Sequence, residues 1–152
     1  MAKVLISDLE DTALNWAIAK SLGYKLYKDE ILRYVMQGWW ISGISKDPNA
    51  WVPLDDFSPS TNWARAGQII EKERISVEAL REGDGWCACI GCTPHDFLLW
   101  DQKYQADAAY GEGPTPLVAA MRCFVASRNT ENFIEIPDCL VEETVAIERP
   151  RG

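Results

Sequence analysis

The chain has 152 residues and a net charge of −8, from 15 lysines and arginines against 23 aspartates and glutamates, and is 47% hydrophobic. That length is one ordinary domain, able to bury roughly 68–70% of the surface its unfolded form exposes, so the core needs no covalent staple. The acidic balance repels a duplex or an anionic membrane, so polynucleotide partners are disfavoured and any nucleic-acid contact has to be local.

In chain order, Lys3 to Ile6 is a short edge strand that stops at Ser7-Asp8, an apolar run too short for a signal peptide or a membrane span; the expectation is a protein of the cytoplasm with no membrane partner. Ser7-Asp8-Leu9-Glu10 has the form of a capping box, and Leu9, Ala13, Leu14, Ala17, Ile18 and Leu22 keep a helical period until Gly23. Tyr24 to Tyr27 and Ile31 to Met36 each suggest a strand before Gln37-Gly38-Trp39-Trp40-Ile41. Ser42 to Ser60 reads as a long loop pinned by Trp51, Val52, Leu54 and Phe57. A helical turn at Trp63 to Ala66 is broken by Gly67, and Gln68 to Glu73 forms a second short helix.

Ile75 to Leu80 and Trp86 to Ile90 alternate around the turn Glu82-Gly83-Asp84-Gly85, which predicts a hairpin. Cys92 to Tyr110 fits no single element. Gly111-Glu112-Gly113-Pro114 then leads into the strongest helix signal of the chain, with Thr115 as cap, Pro116 at the first helical position, and Leu117, Met121, Phe124, Val125 and Arg128 on one side. Asn132 to Pro137 alternates as an edge strand, and the charged residues 142–152 read as a frayed tail behind a single domain at 1–141. The fold class is α+β: a small, mainly antiparallel sheet with two principal helices and long loops.

Two stretches suggest binding. Ser58-Pro59-Ser60-Thr61-Asn62-Trp63 offers hydroxyls, a carboxamide, free amides at a helix start and an indole. It is either a satisfied cap with Trp63 buried or the polar wall of a pocket. The turn at Gly113 and Thr115 is the second helix start, and glycines there let another group approach closely. If the two starts face one hollow, their amides favour a phosphate or carboxylate. Arg122, about 10 Å along the axis from Thr115, can then either contact that anion or pair with one of the many carboxylates. Trp40, with Trp39, Trp51 and Trp63, can offer a flat surface to a nucleobase, a contact worth on the order of 1–3 kcal/mol per base. Core packing explains tryptophans equally well.

Five cysteines are an odd number for a disulfide framework and read as thiols. Cys87, Cys89, Cys92 and His95 are close enough in sequence to be zinc ligands, although structural zinc usually draws on two separated pairs, and alternation puts Cys87 and Cys89 on one strand face as small apolar side chains. No metal or cofactor is assigned. Asp55-Asp56 and His95 are the groups a hydrolase or transferase would use, but no oxyanion framework or nucleotide-binding motif accompanies them. No catalytic residue is assigned.

The blocks Leu14 to Gly23, Phe57 to Ala64, Ile69 to Ile75, Trp86-x-Ala88 and Gly113 to Ser127 stand in an order that closely resembles the NinX-like family of small phage and prophage proteins, over roughly residues 13 to 140. Gln68 stands where the resemblance leads one to expect a proline. The resemblance implies a phage accessory protein and brings no catalytic or binding residues with it. Residues and resemblance together suggest capture, without catalysis, of a small anionic, nucleotide-derived ligand, such as a host antiviral signalling nucleotide. The alternatives are an acidic module that binds a host or phage protein, and a nucleotide hydrolase or transferase. Homo-oligomerisation stays open.

Overall fold

A computed structural model describes residues 1–28, 38–47, 49–91 and 108–145. Among them are eight strands and five α-helices. The strands form three small antiparallel sheets, β1 (Ala2–Leu5) with β8 (Phe133–Ile136), then β2 (Lys25–Lys28), β3 (Trp39–Ser42) and β4 (Trp51–Pro53), then β5 (Ser76–Ala79), β6 (Trp86–Ile90) and β7 (Ala109–Gly113). The helices are α1 (Asp11–Ser21), α2 (Leu54–Phe57), α3 (Trp63–Glu73), α4 (Pro116–Ser127) and α5 (Asp138–Val145). This is a single small α+β domain.

Helix α1 is the central element. Ala13 through Ala19 are all buried, including the carboxamide of Asn15, so the helix is enclosed on every side instead of showing one apolar stripe. Packed around it are α2, α4, α5, β2 and β8. The expected capping box does not form. Ile6–Asp8 is a 3-10 turn, Leu9 is extended and fully buried, and Glu10 takes the cap position with no side-chain hydrogen bond. Burying Leu9 in the core draws the chain out straight, so the Ser7 hydroxyl lies a turn too early to reach the helix amides.

Two other expectations are corrected. The stretch from Ser42 to Ser60 is not a continuous loop: Trp51–Pro53 pairs with Trp40–Ser42, and Leu54 and Phe57 of α2 drop into the core. Nor does Gly67 break α3, which runs unbroken from Trp63, its first amides capped by the Asn62 side chain, with Ala66 and Ile69 buried across the glycine. A proline at position 68 would have cost this helix a backbone bond; Gln68 does not.

The hairpin of β5 and β6 forms as expected, with Val77 opposite Ala88, and β7 adds to β6. Helix α4 lies on that sheet and carries Met121, Phe124 and Val125 into the core with Leu14 and Ile18 of α1. Helix α5 continues the chain to Val145, with Leu140 fully buried. The strand expected at Ile31 to Met36 lies outside the described residues.

Candidate functional site

The residues singled out from sequence fall into three places. Ser58, Ser60, Thr61 and Asn62 form the link between α2 and α3. Ser58 adopts a left-handed backbone, φ 33°, that turns the chain, and its carbonyl accepts the amides of Thr61 at 3.2 Å and Asn62 at 2.9 Å. Its hydroxyl is 2.8 Å from that of Thr61. Asn62 Oδ1 accepts the amides of Ala64 at 3.0 Å and Arg65 at 3.3 Å, so this helix start is capped from within. The link is held by a residue not singled out from sequence: Asn15 of α1 accepts the Ser60 amide at 3.0 Å and donates to Ser58 Oγ at 3.4 Å. A lone carboxamide between Leu14 and Trp16 in an otherwise apolar helix was the available signal. Ser60 Oγ is buried with no hydrogen-bond partner among the described residues. Trp63, expected in the core if the link were only a cap, is 62% exposed.

Gly113, Thr115 and Arg122 form the second place. Thr115 Oγ1 caps α4 by accepting the Val118 amide at 3.2 Å. A Cβ on Gly113 would stand 2.8 Å from the Ala119 amide nitrogen and 2.8 Å from a Val118 methyl, so the close approach this glycine permits is taken by the protein's own helix. Arg122 reaches back along α4 as expected. Its Nε donates to the Leu9 carbonyl at 2.8 Å and its Nη1 to the Glu112 carbonyl at 3.0 Å. No carboxylate among the described residues lies within ion-pair distance of it. Burial pulls its pKa down, while Glu10 and Asp8 at longer range pull it back up, and an arginine so placed keeps its charge. No hydrogen bond among the described residues joins this group to the first.

The third place is the sheet of β2, β3 and β4. Trp40 sits in the middle strand, opposite Tyr27 on one side and Pro53 on the other. Trp39, one residue earlier, faces inward and meets Trp16 edge-on at 6.2 Å.

Arg122 lines an open cleft of about 1250 Å³, together with Leu5, Tyr110, Glu112, Arg128 and Asn132. A second cleft of about 660 Å³ is lined by Lys3, Lys20, Arg128 and Thr130 among others. Neither is lined by residues 58–63 or by Gly113 and Thr115. In the larger cleft the Tyr110 hydroxyl donates to Glu112 Oε1 at 2.6 Å, which engages the carboxylate nearest the arginine's carbonyl contact. Burial first, and Glu112 next, hold the Tyr110 hydroxyl in its protonated form far above the ordinary phenol range. At the far end Arg128 is bound to Glu73 at 2.6 Å.

Strand alternation places Cys87 and Cys89 on one face of β6, both buried. The Cys87 thiol lies 3.6 Å from the Glu78 carbonyl, and burial pushes its pKa up while the neighbouring Tyr110 hydroxyl pulls it partly back. Cys92 and His95 lie outside the described residues. Asp55 and Asp56 lie in the first turn of α2, and the Asp55 pKa is shifted upward by burial and then by its neighbour.

A central buried helix, small antiparallel sheets around it and a cleft beside β7 lined by Arg122 define a single small α+β domain, with no helix among the described residues long and apolar enough to cross a membrane. The family model for NinX of bacteriophage P22 matches residues 5–128, and the chain belongs to that phage family. The match covers the elements from the 3-10 turn through α4 and stops short of β8. No curated protein matches the chain.

Proposed function

We propose that this phage-family protein captures a small anionic, nucleotide-derived ligand without turning it over, and that Arg122 is the cation that holds it. The supporting observation is the state of that guanidinium: half-buried, fixed by the Leu9 and Glu112 carbonyls, in ion-pair contact with no carboxylate among the described residues, and lining the cleft of about 1250 Å³. Carbonyls orient an arginine without neutralising it, and its remaining donors suit the bidentate geometry of a phosphate. Tyr110 offers a ring on the same wall. In a phage setting the use of such capture is to withdraw a host signalling nucleotide from an antiviral response.

Calorimetric titration with cyclic dinucleotides, ADP-ribose and ATP, followed by mass analysis of the recovered ligand, tests this. Binding with the ligand returned intact is the expected result. Arg122→Gln should weaken binding by at least tenfold, and Arg122→Lys should retain part of it. Flat traces with every ligand overturn the reading, and a product mass points to an enzyme instead.

A second reading is favoured by Trp63, which packing leaves 62% exposed on the first turn of α3. An exposed indole on an acidic surface is a good anchor for a host or phage protein. A stoichiometric partner lost on Trp63→Ala would support that reading over capture.

A further inference from the structure

The sheet of β2, β3 and β4 has two unlike faces. Its register places Trp39, Ile41, Leu26 and Val52 inward, where Ile41 is fully buried. The alternate positions, Lys25, Tyr27, Trp40, Ser42, Trp51 and Pro53, point the other way. On this outer face Tyr27 is 56% exposed and Trp51 43% exposed, and Trp40 is half-buried between their strands. Tyr27 and Trp51 reach across β3 to meet edge-on, with centroids 5.9 Å apart and planes at 64°. Ser42 beneath them is buried. The result is one continuous aromatic surface that no described element covers.

The charge around this surface runs against the chain's average. Residues 24–53 carry Lys25, Lys28, Arg33 and Lys46 against Asp29, Glu30 and Asp47, a small positive excess in a protein of net charge −8, with Lys28 on the Trp39 side of the sheet. Asp47 Oδ1 is engaged by the Asn49 amide at 2.9 Å, and the acidic pair Asp55 and Asp56 comes only beyond the end of β4, in α2. Lys25 stands on the outer face itself, and Lys46 in the turn between β3 and β4. Aromatic planes with lysines beside them suit a chain of stacked bases carrying phosphates between them.

From this juxtaposition we propose that the outer face of the β2–β3–β4 sheet binds single-stranded nucleic acid, with Tyr27 and Trp51 stacking on bases and Lys25 and Lys46 meeting phosphates. Two rings inclined at 64° cannot lie flat on one base, so they take separate bases, which calls for an oligonucleotide and not a mononucleotide. A duplex hides its base faces and meets the repulsive field of the whole acidic chain; a single strand exposes them and needs only the local lysines.

The test is fluorescence anisotropy of a labelled oligothymidine of about twelve nucleotides with the full chain, between about 50 and about 200 mM salt. Micromolar binding is expected, with log K falling against log salt at a slope of about −1.4, for roughly two phosphates met. Trp51→Ala should weaken it between about five- and a hundredfold, and Trp51→Phe should restore most of the loss. Lys25→Glu should weaken binding and flatten the salt slope. Both positions are exposed, so the variants should melt with the parent. Three results would each overturn the proposal: no anisotropy change up to about 100 μM protein, equal binding by Trp51→Ala, or equal competition by the duplex of the same sequence. Binding of a proline-rich peptide in place of the oligonucleotide would overturn it too, because such a ligand also docks on aromatic faces.

Discussion

Gly111 has no room for a methyl group. A Cβ there would stand 2.5 Å from the Cys123 amide nitrogen and 2.6 Å from the Ala119 carbonyl oxygen, both backbone atoms of α4 that cannot swing aside. Gly111→Ala should therefore destabilise the fold by about 1–3 kcal/mol or more by prising the helix from β7, read as a shift of the urea midpoint. The glycines before Thr115 were legible in sequence as a place of close approach, but not what approaches, because a missing Cβ is silent about its neighbour. Arg122 shows the same limit. Its position on α4 followed from helical spacing, whereas its partners are main-chain carbonyls 113 and 10 residues away, and main chain carries no side-chain signature. Asp55 adds a small pH effect. Its pKa is raised in the fold, so the folded chain keeps that proton to higher pH than the unfolded one, and its contribution to stability declines as pH rises through the carboxylate range.

At the scale of elements, α4 was readable almost to the residue because cap, proline and apolar period all sit within it. Helix α3 was not, because its continuity is decided elsewhere: burial of Ala66 and Ile69 against the rest of the molecule outweighs the roughly 1 kcal/mol that a mid-helix glycine costs. Gly67 has nothing within 4 Å of where a Cβ would be and does not adopt a positive φ. Gly67→Ala should accordingly raise stability by about 0.5–1 kcal/mol, seen as a higher thermal midpoint, with no change in ligand binding. Strand β4 and the short α2 were hidden for a related reason. Among glycines, serines and prolines, the pairing of Trp51–Pro53 with β3 and the burial of Leu54 and Phe57 are tertiary facts.

Across the whole molecule, the family match ends at residue 128, but the fold does not. Among the described residues, strand β8 is the sole neighbour of β1 in its sheet, and α5 lies on α1 with Leu140 fully buried. A chain ending at Arg128 should lose cooperative unfolding in a circular-dichroism melt, since it strips a side of the central helix and leaves β1 unpaired. The α+β class and its antiparallel character were evident from turn spacing and alternation, whereas the division of the strands into three sheets depends on which segments meet.

The pairing of Ala2 with Ile136 and Leu5 with Phe133 also sets a clock on biosynthesis. At about 5–20 residues per second β1 leaves the ribosome on the order of ten seconds ahead of its complement, an exposed edge throughout. Arrested nascent chains stalled before and after residue 136 emerges should differ sharply in protease resistance.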